Sequence, residues 1–328
     1  MLHMARYLVT GIAGFIGSNL ARALLARGEE VRGIDNFSTG KRENLLEIAK
    51  NLDFRECDLL DLEAMRAACH GVDYVLHHAA IASVPRSITD PLGANRANVD
   101  GTLNLLVAAR DAKVKRVIFA ASSSAYGDTA TLPKREDMPS CPISPYAVSK
   151  LAGEHYMQVF WRVYGLETVC LRYFNIFGPR QDPSSPYSGV LASFTNLMLR
   201  GEAPTIFGNG EQSRDFTYVD NAVAANLLTC AAPAERVAGQ VFNIATGYQA
   251  TLNETVALLR QITGYNGPVH TGAERAGDIK HSYADISRAQ KSFAYRPSIG
   301  FEEGLKRTVA WSREQLKTAP LAQVEAGP

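Results

Sequence analysis

Residues 10–17 read Thr-Gly-Ile-Ala-Gly-Phe-Ile-Gly, between an apolar run at 6–10 and a segment at 15–27 with Phe15, Ile16, Leu20, Leu24 and Leu25 at helical spacing. A glycine-rich turn that ends a strand and opens a helix is the local form that a dinucleotide requires. Among Gly11, Gly14 and Gly17, one glycine allows the tight turn and another lets the backbone approach a pyrophosphate. The last permits close helix–strand packing. The helix start supplies free N–H groups and a partial positive charge for phosphates.

This beginning is repeated along the chain. Apolar runs at 30–35, 52–55, 73–78 and 116–120 alternate with helical patterns at 61–69 and 91–112. Strands alternating with helices, rich in Val, Ile and Leu, predict an α/β chain built on a Rossmann-type, doubly wound parallel sheet. After Pro145 the pattern predicts a long helix at 145–164, a strand at 168–172, and helices at 191–200, 221–231, 252–263 and 301–316. Pro and Gly crowd 178–210, a stretch that reads as functional loops. The expected organisation is a cofactor domain at 1–175, with roughly 215–245 returning to it. A smaller C-terminal α/β substrate domain at 176–316 and a flexible tail at 317–328 complete it.

Asp35 ends the second apolar run. An acidic side chain there accepts hydrogen bonds from an adenine-ribose diol and repels a 2′-phosphate, which favours NAD over NADP. Asp58 follows the third run and is placed near adenine. His78-Ala79-Ala80 follows the fourth, with small residues where a backbone passes the cofactor. Tyr146 and Lys150 share one face of the long helix. A Tyr phenol is a poor base at neutral pH, and a nearby ammonium favours its ionised form. Ser122, Ser123 and Ser124 directly follow the fifth run, at the carboxyl edge of the sheet where ligands bind in such folds.

Lys plus Arg number 34 against 33 Asp plus Glu. A net charge of +1 argues against a nucleic-acid partner. No apolar run approaches the roughly 20 residues of a membrane span, and the strand at Arg6 leaves no room for a signal peptide. Five cysteines without a C-x-x-C pair argue against a disulfide framework or a zinc site. Reduced thiols, a cytoplasmic location and no metal are expected.

Together these residues resemble the extended short-chain dehydrogenase/reductase family, and most of all its nucleotide-sugar 4-epimerases. The resemblance spans about residues 5–316. It is carried by the glycine turn, Asp35-Asn36-Phe37-Ser38-Thr39-Gly40, Asp58-Leu59, His78-Ala79-Ala80, Asn98-Val99-Asp100-Gly101-Thr102 and the serine run. Further along it rests on Tyr146-Ala-Val-Ser-Lys150, Leu171-Arg-Tyr-Phe-Asn-Ile-Phe-Gly178, Arg214-Asp215-Phe216 and Arg275-Ala-Gly-Asp278.

The resemblance implies Tyr146 as base, Lys150 orienting the nicotinamide ribose and Ser122 assisting at the sugar hydroxyl. NAD stays tightly bound and is recycled at each turnover. Its implied contacts are Gly11, Gly14, Phe15, Ile16, Gly17, Asp35, Asn36, Ser38, Thr39, Gly40, Asp58, Leu59, Ala79, Ala80, Asn98 and Phe174, besides Tyr146 and Lys150. Serine at 123 and 124 departs from the Asp-Glu pair of the sugar dehydratases, which points to oxidation and hydride return at C4. Asn175, Val190, Thr205, Phe207, Arg214, Arg275 and Asp278 are implied around a UDP group. Ala82, Ser83, Gln181 and Ser282 are implied near the sugar. The small Ser282 leaves room for an acetamido group, and the closest resemblance is to bacterial UDP-N-acetylglucosamine 4-epimerases of polysaccharide biosynthesis. UDP-GlcNAc and UDP-GalNAc are the expected pair, with UDP-Glc and UDP-Gal as poorer substrates. A UDP-glucose 4-epimerase restricted to unacetylated sugars, a hexuronate 4-epimerase and a net keto-sugar oxidoreductase are the alternatives. Relatives also imply a homodimer built on the helices at 91–112 and 145–164.

Overall fold

The structure, a computed structural model, describes residues 4–183, 189–274 and 280–318. Seven parallel strands form its central sheet: β1 (Arg6–Thr10), β2 (Glu30–Asp35), β3 (Asp53–Glu56), β4 (Tyr74–His77), β5 (Arg116–Ser122), β6 (Glu167–Tyr173) and β11 (Gln240–Ile244). Their order is β11-β6-β5-β4-β1-β2-β3, so the winding reverses between β1 and β4. The crevice beyond the carboxyl ends of those two strands is where such a sheet takes a ligand. Strand residues such as Leu8, Val9, Leu76 and Ile118 are buried, as a sheet covered on both faces requires.

Helices α1 (Phe15–Ala26) and α8 (Val219–Ala231) pack together over one face. The other face carries α2 (Leu62–Cys69), α5 (Gly101–Asp111) and α6 (Pro145–Tyr164). The α6 boundaries follow from local chemistry. The Ser144 hydroxyl caps the Ala147 N–H, Pro145 opens the first turn, and Gly165 stops the helix at φ 70°.

The helix expected at 91–112 is divided. It consists of α4 (Pro91–Asn95), a π turn at Arg96–Asp100, and α5. The extra residue of a π turn rotates the side chains around it. Here Asn98 is buried, with its amide bound to both the N–H and the carbonyl of Ile81 and to Ser149 Oγ. The short helix α3 (Val84–Thr89) was not legible in the sequence pattern.

The C-terminal part has its own core, formed by α7 (Val190–Leu199), α10 (Leu252–Thr263) and α12 (Phe301–Thr318) with Phe177, Phe216 and Tyr218. Short strand pairs surround it. β8 (Thr205–Phe207) pairs with β13 (His270–Gly272), and β9 (Ser213–Arg214) with β12 (Ala250–Thr251) and β14 (His281–Ser282). The tail was expected from 317, but α12 runs on through Thr318.

Candidate active site

A cleft of about 600 Å³ opens at the winding reversal. Its walls include Gly11, Gly14, Gly17, Asp35, Asp58, Ser122, Tyr146 and Lys150. Residues from six strand ends and from α6 therefore converge on one space.

At the turn, Gly11 has φ 66°, and a Cβ there would stand 2.8 Å from Ala79 N and Cα. Backbone so close to backbone leaves no room for a side chain. Thr10 fastens the same junction. Its hydroxyl oxygen accepts from the N–H of His78 and of Ala79, each at 3.1 Å. With both lone pairs used, its hydrogen goes to His77 Nδ1 at 2.8 Å. His77 Nε2–H then donates to Thr102 Oγ1 at 2.9 Å, and Thr102 to the Asn98 carbonyl at 2.6 Å. Burial pushes His77 well below its ordinary pKa, in keeping with this neutral form. The chain of bonds ties the glycine turn to the π turn and, through Asn98 and Ser149, to α6.

Asp35 is 8% exposed and accepts from Ala13 N–H at 2.9 Å and Phe37 N–H at 2.8 Å. Burial raises its pKa, and the backbone donors oppose that rise. Asn36 donates to Asp58 at 2.7 Å, which joins the ends of β2 and β3. Phe15, Ile16, Asn36, Ser38, Thr39, Leu59, Ala79 and Ala80 all line the cleft. The glycine cradle, the helix start and the acidic strand end together fit a dinucleotide such as NAD.

At the other end, Ser122 Oγ accepts from Ser124 N at 3.2 Å and Ser124 Oγ at 2.8 Å. Its own hydrogen is thereby free to donate outward. Burial pushes the Tyr146 phenol up, and a hydrogen bond with Ser122 opposes that rise. Lys150 is 3% exposed, donates to the Ala120 carbonyl at 2.9 Å and lies 4.8 Å from the Phe119 ring centroid. Burial pulls its ammonium down to about 8, with Glu154 pulling the other way. The lowering of the Tyr146 pKa expected from Lys150 is not what this geometry gives: burial raises it, and the opposing contact is Ser122 rather than Lys150.

Three expected cofactor residues stand off the cleft wall. Phe174 is wholly buried, its ring 6.1 Å from that of Tyr126, while its neighbours Tyr173 and Asn175 line the cleft. Asn98 is spent on Ile81 and Ser149. Gly40 sits behind Asp35, where a Cβ would come within 2.9 Å of both carboxylate oxygens. Of the expected sugar residues, Ala82 and Gln181 line the cleft. Ser83 caps α3 through Arg86 N–H, and Ser124 supports Ser122, while Ser123 follows Ser122 in the 3₁₀ turn.

Ser282 is the register partner of Arg214, so these two residues are neighbours on adjoining strands. Arg214 donates to the carbonyls of Ser213 and Lys280. Thr205 and Phe207 lie on β8, and Val190 opens α7. Arg275 and Asp278 fall outside the described residues. Gly93 on α4, and Arg96 and Ala97 in the π turn that follows, also line the cleft and were missed, because the π turn breaks the helical spacing of this segment.

Fold and cleft define a dinucleotide-dependent enzyme of the doubly wound class, with a Ser, a Tyr and a Lys lining one end of the cleft. More particularly, the chain belongs to the NAD dependent epimerase/dehydratase family, whose sequence pattern matches residues 7–245. A Thermotoga maritima UDP-glucose 4-epimerase, solved with UDP-glucose, is 41% identical. It superposes with a TM-score of 0.90, and the match covers 95% of this chain and 99% of that one. A UDP-N-acetylglucosamine 4-epimerase from Methanobrevibacter ruminantium, solved with UDP-N-acetylmuramic acid, is also 41% identical. Its TM-score is 0.91, over 96% of this chain and 100% of that one. A Thermus thermophilus UDP-glucose 4-epimerase in complex with NAD is 37% identical, with a TM-score of 0.85 over 94% of this chain and 99% of that one.

Proposed function

We propose that this chain interconverts UDP-hexoses that differ at C4, preferring UDP-GlcNAc and UDP-GalNAc over UDP-Glc and UDP-Gal. The observation that carries the reading is the meeting of Ser122, Tyr146 and Lys150 with the glycine turn in one cleft. NAD, when bound, supplies a reversible acceptor for the hydrogen on C4. Tyr146 takes the proton of the C4 hydroxyl, and Ser122 donates a hydrogen bond to the same oxygen. Lys150 would hold the ribose, and the hydrogen bond from Ser122 favours the ionised Tyr146. The 4-keto sugar then turns over within the cleft, so that the hydrogen comes back to the opposite face of C4, and Tyr146 returns its proton to the C4 oxygen. Asn175, Arg214, Arg275 and Asp278 would hold the UDP moiety, because guanidinium suits a diphosphate in charge and geometry.

The acetamido preference is supported by Ser282, a short residue beside Arg214. A homodimer and a cytoplasmic setting belong to the same reading. Ile88 and Leu92 are 64% and 74% exposed, and Val159 and Val163 on α6 are 46% and 64% exposed, an apolar surface suited to a second copy.

The test is incubation of the purified protein with each of the four UDP-sugars, without added NAD. Product from UDP-GlcNAc ahead of UDP-Glc supports the reading. Turnover of neither pair refutes it, and faster turnover of the unacetylated pair refutes the preference.

A further inference from the structure

Arg172 lies on β6 and is 4% exposed. Its Nε and Nη2 donate to the two carboxylate oxygens of Glu154, at 2.9 and 2.7 Å, and Glu154 is 2% exposed. Its Nη2 also reaches Ser140 Oγ at 3.2 Å. The same guanidinium stands over the ring of Tyr126, 4.6 Å from the centroid. Glu154 is on α6, one helical turn beyond Lys150 and two beyond Tyr146. Tyr126 ends the 3₁₀ turn that Ser122 caps, and its hydroxyl donates to Asn243 Oδ1 on β11 at 2.6 Å. One buried cation therefore touches both pieces of chain that bring reacting groups to the cleft.

Burying two charges is costly, and an apolar pair of similar volume often packs as well or better. Stability alone gives little reason for this pair. A two-pronged guanidinium–carboxylate contact is, however, strongly directional. The rest of the α6 seat combines close packing with single hydrogen bonds: Lys150 to the Ala120 carbonyl, Thr168 Oγ1 to the Met157 carbonyl, and Asn98 to Ser149 Oγ. Gly153 presses on the Phe119 ring, where a Cβ would come within 2.6 Å. Such packing resists separation of helix and sheet, and each single bond tolerates a small shift or rotation that a two-pronged contact does not. The fork on Glu154 sets the axial position and rotation of α6. The guanidinium face on Tyr126 sets the serine turn against the same reference.

We propose that Arg172 and Glu154 are positioning residues that hold Tyr146 and Lys150 in register with Ser122. This rests on the reading of those three as the reacting end of the cleft.

The test compares Arg172→Lys and the double variant Arg172→Met with Glu154→Leu against the parent holoprotein. The double variant removes both charges and leaves neither unpaired. Thermal melts, bound NAD, and kcat and KM for the UDP-sugar turned over fastest are measured together. The expected result is a cooperative melt, retained NAD, little change in KM and a fall in kcat of about 10- to 100-fold. Arg172→Lys keeps the charge but not the fork, and is expected to recover part of that loss. A double variant with kcat within about twofold of the parent would overturn the proposal. If the double variant does not fold, Arg172→Lys decides: a lower kcat at unchanged KM supports positioning, and an unchanged kcat overturns it. Tyr146→Phe is run alongside. Full activity there would overturn the reading of the cleft, and this inference with it.

Discussion

The Cα of Gly17 rides directly on the carbonyl of Gly11: a Cβ added to Gly17 would stand 2.2 Å from that oxygen and 2.9 Å from Ile12 Cα. Both neighbours are backbone, so neither can rotate aside. Gly17→Ala is expected to lift the start of α1 from β1 and open the phosphate cradle. The cost of such overpacking is about 1–3 kcal/mol. A lower melting temperature together with weaker NAD retention is the expected outcome. An unchanged NAD titration would show that the helix start does not depend on this contact.

Much of this site was legible because its parts are local. A glycine turn, a strand-end Asp35 and a Tyr146–Lys150 pair each need only a few residues of context, and the boundaries of α6 follow from Ser144, Pro145 and Gly165. The parts that were not legible depend on distant pairings. Nothing near Asn98 in the sequence signals that its amide will be spent on Ile81 and Ser149. Phe174 resembles its cleft-lining neighbours in sequence, but its side chain is wholly buried in the core. Arg172 could not be assigned a partner until α6 was laid across β6.

Tyr146→Phe removes the one oxygen of that side chain and keeps the ring. Loss of a proton-transferring group typically costs 10²–10⁴-fold in rate, so a fall in kcat of about that size is expected. Bound NAD is expected to remain, because the glycine turn and Asp35 are untouched. Separation of the UDP-sugars after incubation, with the absorbance of the retained cofactor, checks both halves. Loss of NAD together with activity would point to a collapsed cleft instead.

Lys150 makes two quantities move in opposite directions with pH. Burial brings its pKa from 10.5 down to about 8 in the folded chain. As pH rises through about 8 the ammonium is lost, and kcat of the holoprotein is expected to decline. For stability, the unfolded lysine still binds its proton up to about 10.5. Between the two values the unfolded state therefore holds more protons, and the Lys150 contribution to stability rises with pH. Below about 8 the full cost of the buried charge is present. A kcat profile and a series of melts from pH 6 to 10 test both, with Lys150→Met expected to remove this rise in stability. An alkaline limb centred near 10 would contradict the account.

Ser282 gives the proposed sugar preference its sharpest test. It is 9% exposed and paired in register with Arg214, so a larger side chain there intrudes on the space beside that guanidinium. Ser282→Tyr is expected to reduce kcat/KM for UDP-GlcNAc by at least about 10-fold, the scale of one lost or blocked small group in a pocket. UDP-Glc, which lacks the acetamido group, should be affected far less, so the ratio of the two kcat/KM values is the quantity to follow. A ratio that inverts places the acetamido group at Ser282. Equal losses on both sugars would instead mean that the tyrosine disturbs β9 and β14, and an unchanged ratio at full activity would move the discriminating residue away from Ser282.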